Sequence, residues 1–118
     1  MPTVVWYSRL QPGADRGAYE RWVEQVDYPG ARQIPSILSY RVYRVQGACV
    51  GELAKELQFD YVEVAEVTDI QAYLRDLEEH PAARAVIAEI GRYVQSVGSA
   101  WGHPVRPEGW IEDQLNDR

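Results

Sequence analysis

Phe59-Asp60-Tyr61-Val62-Glu63-Val64-Ala65-Glu66-Val67-Thr68-Asp69-Ile70-Gln71 is the stretch whose reading decides the fold. Phe59, Tyr61, Val62, Val64 and Val67 among its first nine residues are aromatic or β-branched, which predicts a strand over Phe59 to Val67. Thr68 and Gln71 then stand three apart, the spacing of a capping box, so a helix is expected to open directly after the strand. Upstream, Ile37 to Val45 alternates two side-chain sets and reads as a second strand. Residues 47–58 connect the two, with one helical turn expected around Leu53-Ala54-Lys55-Glu56; a connection this long is a candidate lid. Toward the N-terminus, Val4-Val5-Trp6-Tyr7-Ser8-Arg9 predicts a strand closed by Gln11-Pro12-Gly13. Asp15 is placed to cap a helix with Tyr19, Trp22, Val23 and Val26 on one face, and Pro29-Gly30 is expected to end or kink it. Toward the C-terminus the capping-box helix turns Tyr73, Leu74 and Leu77 inward. His80-Pro81 interrupts it, and Pro81 opens a continuation through Ile87, Ile90 and Val94. Val97 to Trp101 or His103 predicts the last strand.

The order β-α-β-β-α-β is the ferredoxin-like α+β arrangement, a four-stranded antiparallel sheet with two helices on one face. It occupies residues 1–104, and residues 105–118 form a polar, Pro-rich tail with Trp110 as its large anchor. Two helices cover only one face of such a sheet, yet the strands carry apolar or aromatic residues on both faces, Val4 and Trp6 on one and Val5 and Tyr7 on the other. The economical solution is a two-fold homodimer with sheets face to face, a dimeric α/β barrel.

At 118 residues the chain has room for one domain and one core. Twelve Lys and Arg against eighteen Asp and Glu leave a net charge of −6, which argues against nucleic acid and against an anionic membrane surface. No apolar run approaches the ~18 residues of a membrane span, and no signal pattern is read at the N-terminus. Cys49 is the single cysteine, so no disulfide framework exists and a reducing cytoplasmic setting is expected. There is no phosphate loop, no dinucleotide fingerprint and no nucleophile elbow. Cys49, His80 and His103 have no metal-site spacing. Cofactor-free acid/base chemistry, plain ligand binding, or haem held by one His remain.

Eight Tyr and four Trp against one Phe suit a pocket for a flat organic molecule as well as a core. Tyr7, Trp22, Tyr40, Tyr43, Tyr61 and Trp101, with Trp6, are candidate pocket residues. His103, at the end of the last strand, is a candidate general acid/base; the bland alternative is a loop histidine. His80, at the helix break, reads as a cap. Glu63 and Glu66 interrupt an apolar strand and point to opposite faces. Either is a candidate catalytic carboxylate with a raised pKa, or an ion pair for Arg41 or Arg44. Glu63 is favoured, with Tyr61 beside it and Tyr43 expected across the hairpin. Arg9 and Arg41 are candidates for gripping a substrate carboxylate. Gly98, Ala100 and Gly102 leave volume on one face of the last strand. Cys49 has no adjacent base and reads as inert.

Val4-Val5-Trp6-Tyr7, Tyr19-Glu20-Arg21-Trp22, the segment Ile34-Pro35-Ser36-Ile37-Leu38-Ser39-Tyr40-Arg41-Val42-Tyr43-Arg44-Val45 and the stretch from Phe59 to Asp69 together resemble the RedY-like proteins. The resemblance runs from about Val4 to Val94, and the Ile34 to Val45 segment is its most specific part. It implies the dimeric α/β-barrel fold and a small cofactor-independent protein of prodiginine or bisindole biosynthesis. Such a protein would steer cyclisation or condensation of an indole- or pyrrole-derived intermediate. His103 would shuttle a proton and Glu63 would orient it or offset iminium charge. A cofactor-free monooxygenase on a polycyclic phenol, or a non-catalytic accessory binding protein, are the alternatives.

Overall fold

The stretch from Phe59 to Val67 supplies an inner strand, Tyr61–Val67, and the sheet is built around it. The computed structural model describes residues 1–109 and 111. Its order is β1 (Thr3–Leu10), α1 (Arg16–Trp22), a π-helical turn (Val23–Asp27), α2 (Tyr28–Arg32), β2 (Ile37–Arg44), a 3-10 segment (Gly51–Glu56), β3 (Tyr61–Val67), α3 (Ile70–Glu79), α4 (Pro81–Ile90), β4 (Val94–Gly102) and a short 3-10 turn (Pro107–Gly109). The sheet runs β2-β3-β1-β4 with every pair antiparallel. This is the expected ferredoxin-like α+β fold, with both helical arms on one face. Trp110 lies outside the described residues, as does most of the tail.

Asp15 caps α1 as expected, accepting from the Ala18 N–H at 2.8 Å. Pro29-Gly30 does not end the helix. The Tyr28 N–H reaches back five residues to the Val23 carbonyl, and this wider turn carries the chain without a break from Arg16 to Arg32. Pro29 falls in the first turn of α2, where a missing N–H is tolerated. Gly30 is there for packing: a Cβ on it would stand 2.9 Å from Val86 Cγ2 of α4, so only glycine lets the two helices approach this closely.

The capping box is also relocated. Asp69, not Thr68, caps α3 by accepting from the Ala72 N–H at 2.8 Å. The Thr68 N–H donates to the Ser36 carbonyl, which ties Thr68 to the segment before β2, just past the end of β3. Tyr73 is buried but Leu74 is half exposed, because it lies on the outer side of α3. His80 caps α4 through Nδ1, at 3.1 Å from the Ala82 N–H. The last helix stops at Ile90, and Val94, expected in that helix, is the buried first residue of β4. Pairing along the whole of β1, from Leu10 with Val94 to Thr3 with Gly102, pulls this segment into the sheet. The irregularity between Tyr7 and Ser8 absorbs Val97 as an extra residue.

The pleat sorts the side chains. Val4, Trp6, Ser8 and Leu10 of β1 share the helix-covered face with Tyr61, Glu63, Ala65 and Val67 of β3 and with Tyr40 and Val42 of β2. Thr3, Val5, Tyr7 and Arg9 share the open face with Arg41, Tyr43, Val62, Val64 and Glu66. Two apolar clusters form under the helices. One joins Tyr19, Trp22 and Val23 to Tyr61 and Val94; the other joins Tyr73 to Val4, Ala65 and Val67. On β3 the residue between them is Glu63.

Candidate active site

A carboxylate between two apolar clusters is costly unless something uses it. Glu63 is 8% exposed and its Oε1 has no hydrogen-bond partner among the described residues. The ion pair considered for it does not form. Arg44 gives a bidentate bridge to Glu20 instead, at 2.6 and 2.7 Å, and Arg41 belongs to the open face. Tyr43 is not across the hairpin from Glu63 either: it pairs with Val62, and Val42 stands opposite Glu63.

A second buried acid faces Glu63 from the helices. Asp27, 4% exposed, ends the π-helical turn, and the Tyr40 hydroxyl donates to its Oδ2 at 2.7 Å. Burial, with a smaller contribution from the charge of Asp27, pushes Glu63 up to about 8. Burial pushes Asp27 up to about 6, against the opposing pull of the Tyr40 hydrogen bond. Two acids with values on either side of neutrality are suited to hold one proton and exchange another at pH 7.

Tyrosines wall this pair. The hydroxyls of Tyr19 and Tyr40 are held strongly in the neutral form by burial and by the nearby acids. Tyr19 is fully buried and its hydroxyl has no partner among the described residues. Tyr73 accepts from the Trp6 indole N–H at 2.9 Å. Tyr40 meets Tyr28 edge to face, with centroids 5.8 Å apart, and both line a cavity of about 480 Å³ between α2 and β2.

Of the residues singled out in the sequence, Glu63 and Tyr40 meet here. Tyr61 shares their face but is core: its ring packs on Tyr19 and its hydroxyl donates to Glu20 at 2.6 Å. Trp22 is core as well, with its indole N–H on Glu89 at 3.3 Å. Tyr7, Arg9, Arg41 and Tyr43 stand on the open face. The expected pairing of His103 with Glu63 is not formed. His103 follows β4 and lines, with Trp101, Thr3, Val5 and Ala100, a separate cavity of about 460 Å³ whose lining does not include Glu63; Trp101 pairs in register with Val4, and its ring meets that of His103 at 5.9 Å. The small residues Gly98, Ala100 and Gly102 share this open face, so the volume they leave is on the side away from the acid pair.

Asp27 and Tyr19 were missed as site residues. Asp27 did leave a signal: it lies eight residues after Tyr19 and four after Val23, on the same apolar stripe, where an acid has no ordinary reason to be. Among the described residues no group of three or more His, Cys, Asp or Glu side chains is gathered to hold a metal ion. No described helix is long and apolar enough to cross a membrane.

Fold and site together define a ferredoxin-like α+β protein with a buried acid pair under its helices. The chain belongs to the family described as REDY-like protein HapK, whose model matches residues 2–105. Its structure is similar to that of HapK from Hahella chejuensis, at 27% identity and TM-score 0.76 over 94% of this chain and 98% of that one. It also resembles SnoaB, a cofactor-independent oxygenase from Streptomyces nogalater, at 15% identity and TM-score 0.65 over 90% and 96%. A third likeness is a dimeric ferredoxin-like protein of unknown function from Thermobifida fusca, at 18% identity and TM-score 0.60 over 86% of both chains. No curated protein sequence matches the chain.

Proposed function

We propose that this protein is a cofactor-independent enzyme of secondary-metabolite biosynthesis that steers cyclisation or condensation of a reactive indole- or pyrrole-derived intermediate. The observation that carries the reading is the buried pair of Asp27 and Glu63, held at different proton affinities among tyrosines. Membership in the REDY-like HapK family supports it. In this mechanism Asp27 is the base, reached through Tyr40: a substrate proton passes to the Tyr40 oxygen as the Tyr40 proton passes to Asp27 Oδ2. Glu63, neutral at pH 7, supplies the acid, and the same carboxyl offsets positive charge on an iminium once it has given up its proton. Keeping water out suppresses competing reactions of an intermediate that is reactive by itself. The shuttle role that the sequence suggested for His103 passes to Asp27, which is on the same side of the sheet as Glu63.

We further propose that the enzyme is a homodimer with its open sheet faces packed together. Val5, Tyr7, Val62 and Val64 give that face an apolar surface, and the Thermobifida fusca neighbour is itself described as dimeric.

The test is reconstitution. Purified protein is added to a tryptophan-oxidase system that generates a bisindole intermediate, with products followed by mass spectrometry and oxygen by electrode. A redirected product without added cofactor, lost in Glu63→Gln and Asp27→Asn, is the expected result. Oxygen uptake dependent on the protein makes it an oxygenase instead. Ligand binding with an unchanged product profile makes it a binding protein.

A further inference from the structure

The cavity between α2 and β2 has features that the acid/base reading does not use. Its volume, about 480 Å³, is that of a site for a small organic ligand. Two of its walls are the rings of Tyr28 and Tyr40, and Ala31 and Ile37 extend the apolar surface. The two charged residues that line it, Arg32 and Arg41, are both cationic. Neither has a salt bridge with a described residue, whereas Arg16, Arg21, Arg44 and Arg92 all do; Arg41 starts from the open side of the edge strand, beside Tyr43 and Glu66, and lines the cavity at its rim. In a chain of net charge −6, two guanidinium groups without a salt bridge beside an aromatic cavity with no acid in its lining have the chemistry to receive an anion. Tyr40 is the wall this cavity shares with the acid pair, and its bond to Asp27 fixes the ring in place.

We propose that this cavity is the substrate pocket and that it takes a planar aromatic carboxylic acid, with its ring against Tyr28 and Tyr40 and its carboxylate on Arg32 and Arg41. The inference rests on the acid/base reading for the chemistry that follows binding, but its own content is recognition, which is measured without turnover. It adds Arg32 as a specificity residue and gives Arg41 a partner in the grip.

The experiment is calorimetric titration of the full chain with indole-3-acetate and with its neutral analogue indole-3-acetamide. The acid is expected to bind roughly tenfold or more tighter than the amide, with the advantage shrinking as salt is raised. Arg32→Gln is expected to remove most of that advantage and leave amide affinity within about twofold; Arg41→Gln removes a smaller part. Both side chains are exposed, so neither variant threatens folding. Equal affinity for acid and amide, an unchanged preference in Arg32→Gln, or no binding of either probe at millimolar concentration overturns the proposal. Arginine-dependent binding with no product steering leaves the pocket standing and removes the enzymatic reading. Product steering with arginine-independent binding does the reverse.

Discussion

Glu63→Gln tests the buried acid directly, because its effect on stability has to change with pH. In the unfolded chain Glu63 titrates near 4.5; in the fold, burial and the charge of Asp27 push it up to about 8. Between those values the folded chain holds a proton that the unfolded chain has released. The stability this proton provides is complete below pH 4.5 and is lost progressively until the pH passes about 8. Each unit within that window costs the wild type roughly 1.4 kcal/mol. From pH 5 to pH 8 the loss approaches about 4 kcal/mol, an upper value for a group buried this deeply. Glutamine cannot titrate, so the variant escapes that loss. Its amide is no better partnered than the acid, which makes it equal to or slightly less stable than the wild type at pH 5. At pH 8 it is expected to be the more stable by several kcal/mol. Urea unfolding followed by tryptophan fluorescence, at one fixed protein concentration, measures both proteins at both pH values. Asp27 is present in each, so its own titration largely cancels. Parallel stability curves for wild type and variant would refute the reasoning, since they would mean that Glu63 titrates normally in the fold.

Once a reaction is in hand, kcat/KM is expected to follow a bell with limbs near 6 and 8, the values of Asp27 and Glu63. Asp27→Asn should lower the rate by ~10²-fold or more and abolish the acid limb; a profile unchanged in shape assigns that limb elsewhere. Gly30→Val should destabilise the fold by about 1–3 kcal/mol, because the added methyls meet Val86; an unaltered urea midpoint shows that α2 and α4 part without cost. Val64→Arg on the open face should convert the proposed dimer to a 13.5 kDa monomer in sedimentation, and an identical mass would place the interface on another surface.

The strand-loop-strand-helix reading of residues 37–79 was correct in kind because it rests on local patterns: alternation in β2 and β3, and an acceptor side chain at the start of α3. Where expectation and structure differ, the deciding contact is distant in sequence. Thr68 is held by Ser36 and cedes the cap to Asp69, while Val94 leaves the helix to pair with Leu10. Pro29-Gly30 carries the same local signal whether it ends a helix or lets α2 lie against Val86.

The site divides in the same way. The alternation of β3 and the apolar residues on both sides of Glu63 marked it as an acid on a covered face, so the sequence alone determined that it needed an explanation. The register of β2 against β3 assigned Tyr40 to that explanation and Tyr43 to the opposite face, because a one-residue shift in pairing exchanges the two faces of a strand. The extra residue in the π-helical turn brought Asp27 beneath the sheet. Periodicity within one segment follows from local backbone geometry, which the sequence carries. Which segments meet, and in what register, is decided by the packing of the whole core, and Asp27 meets Glu63 only there.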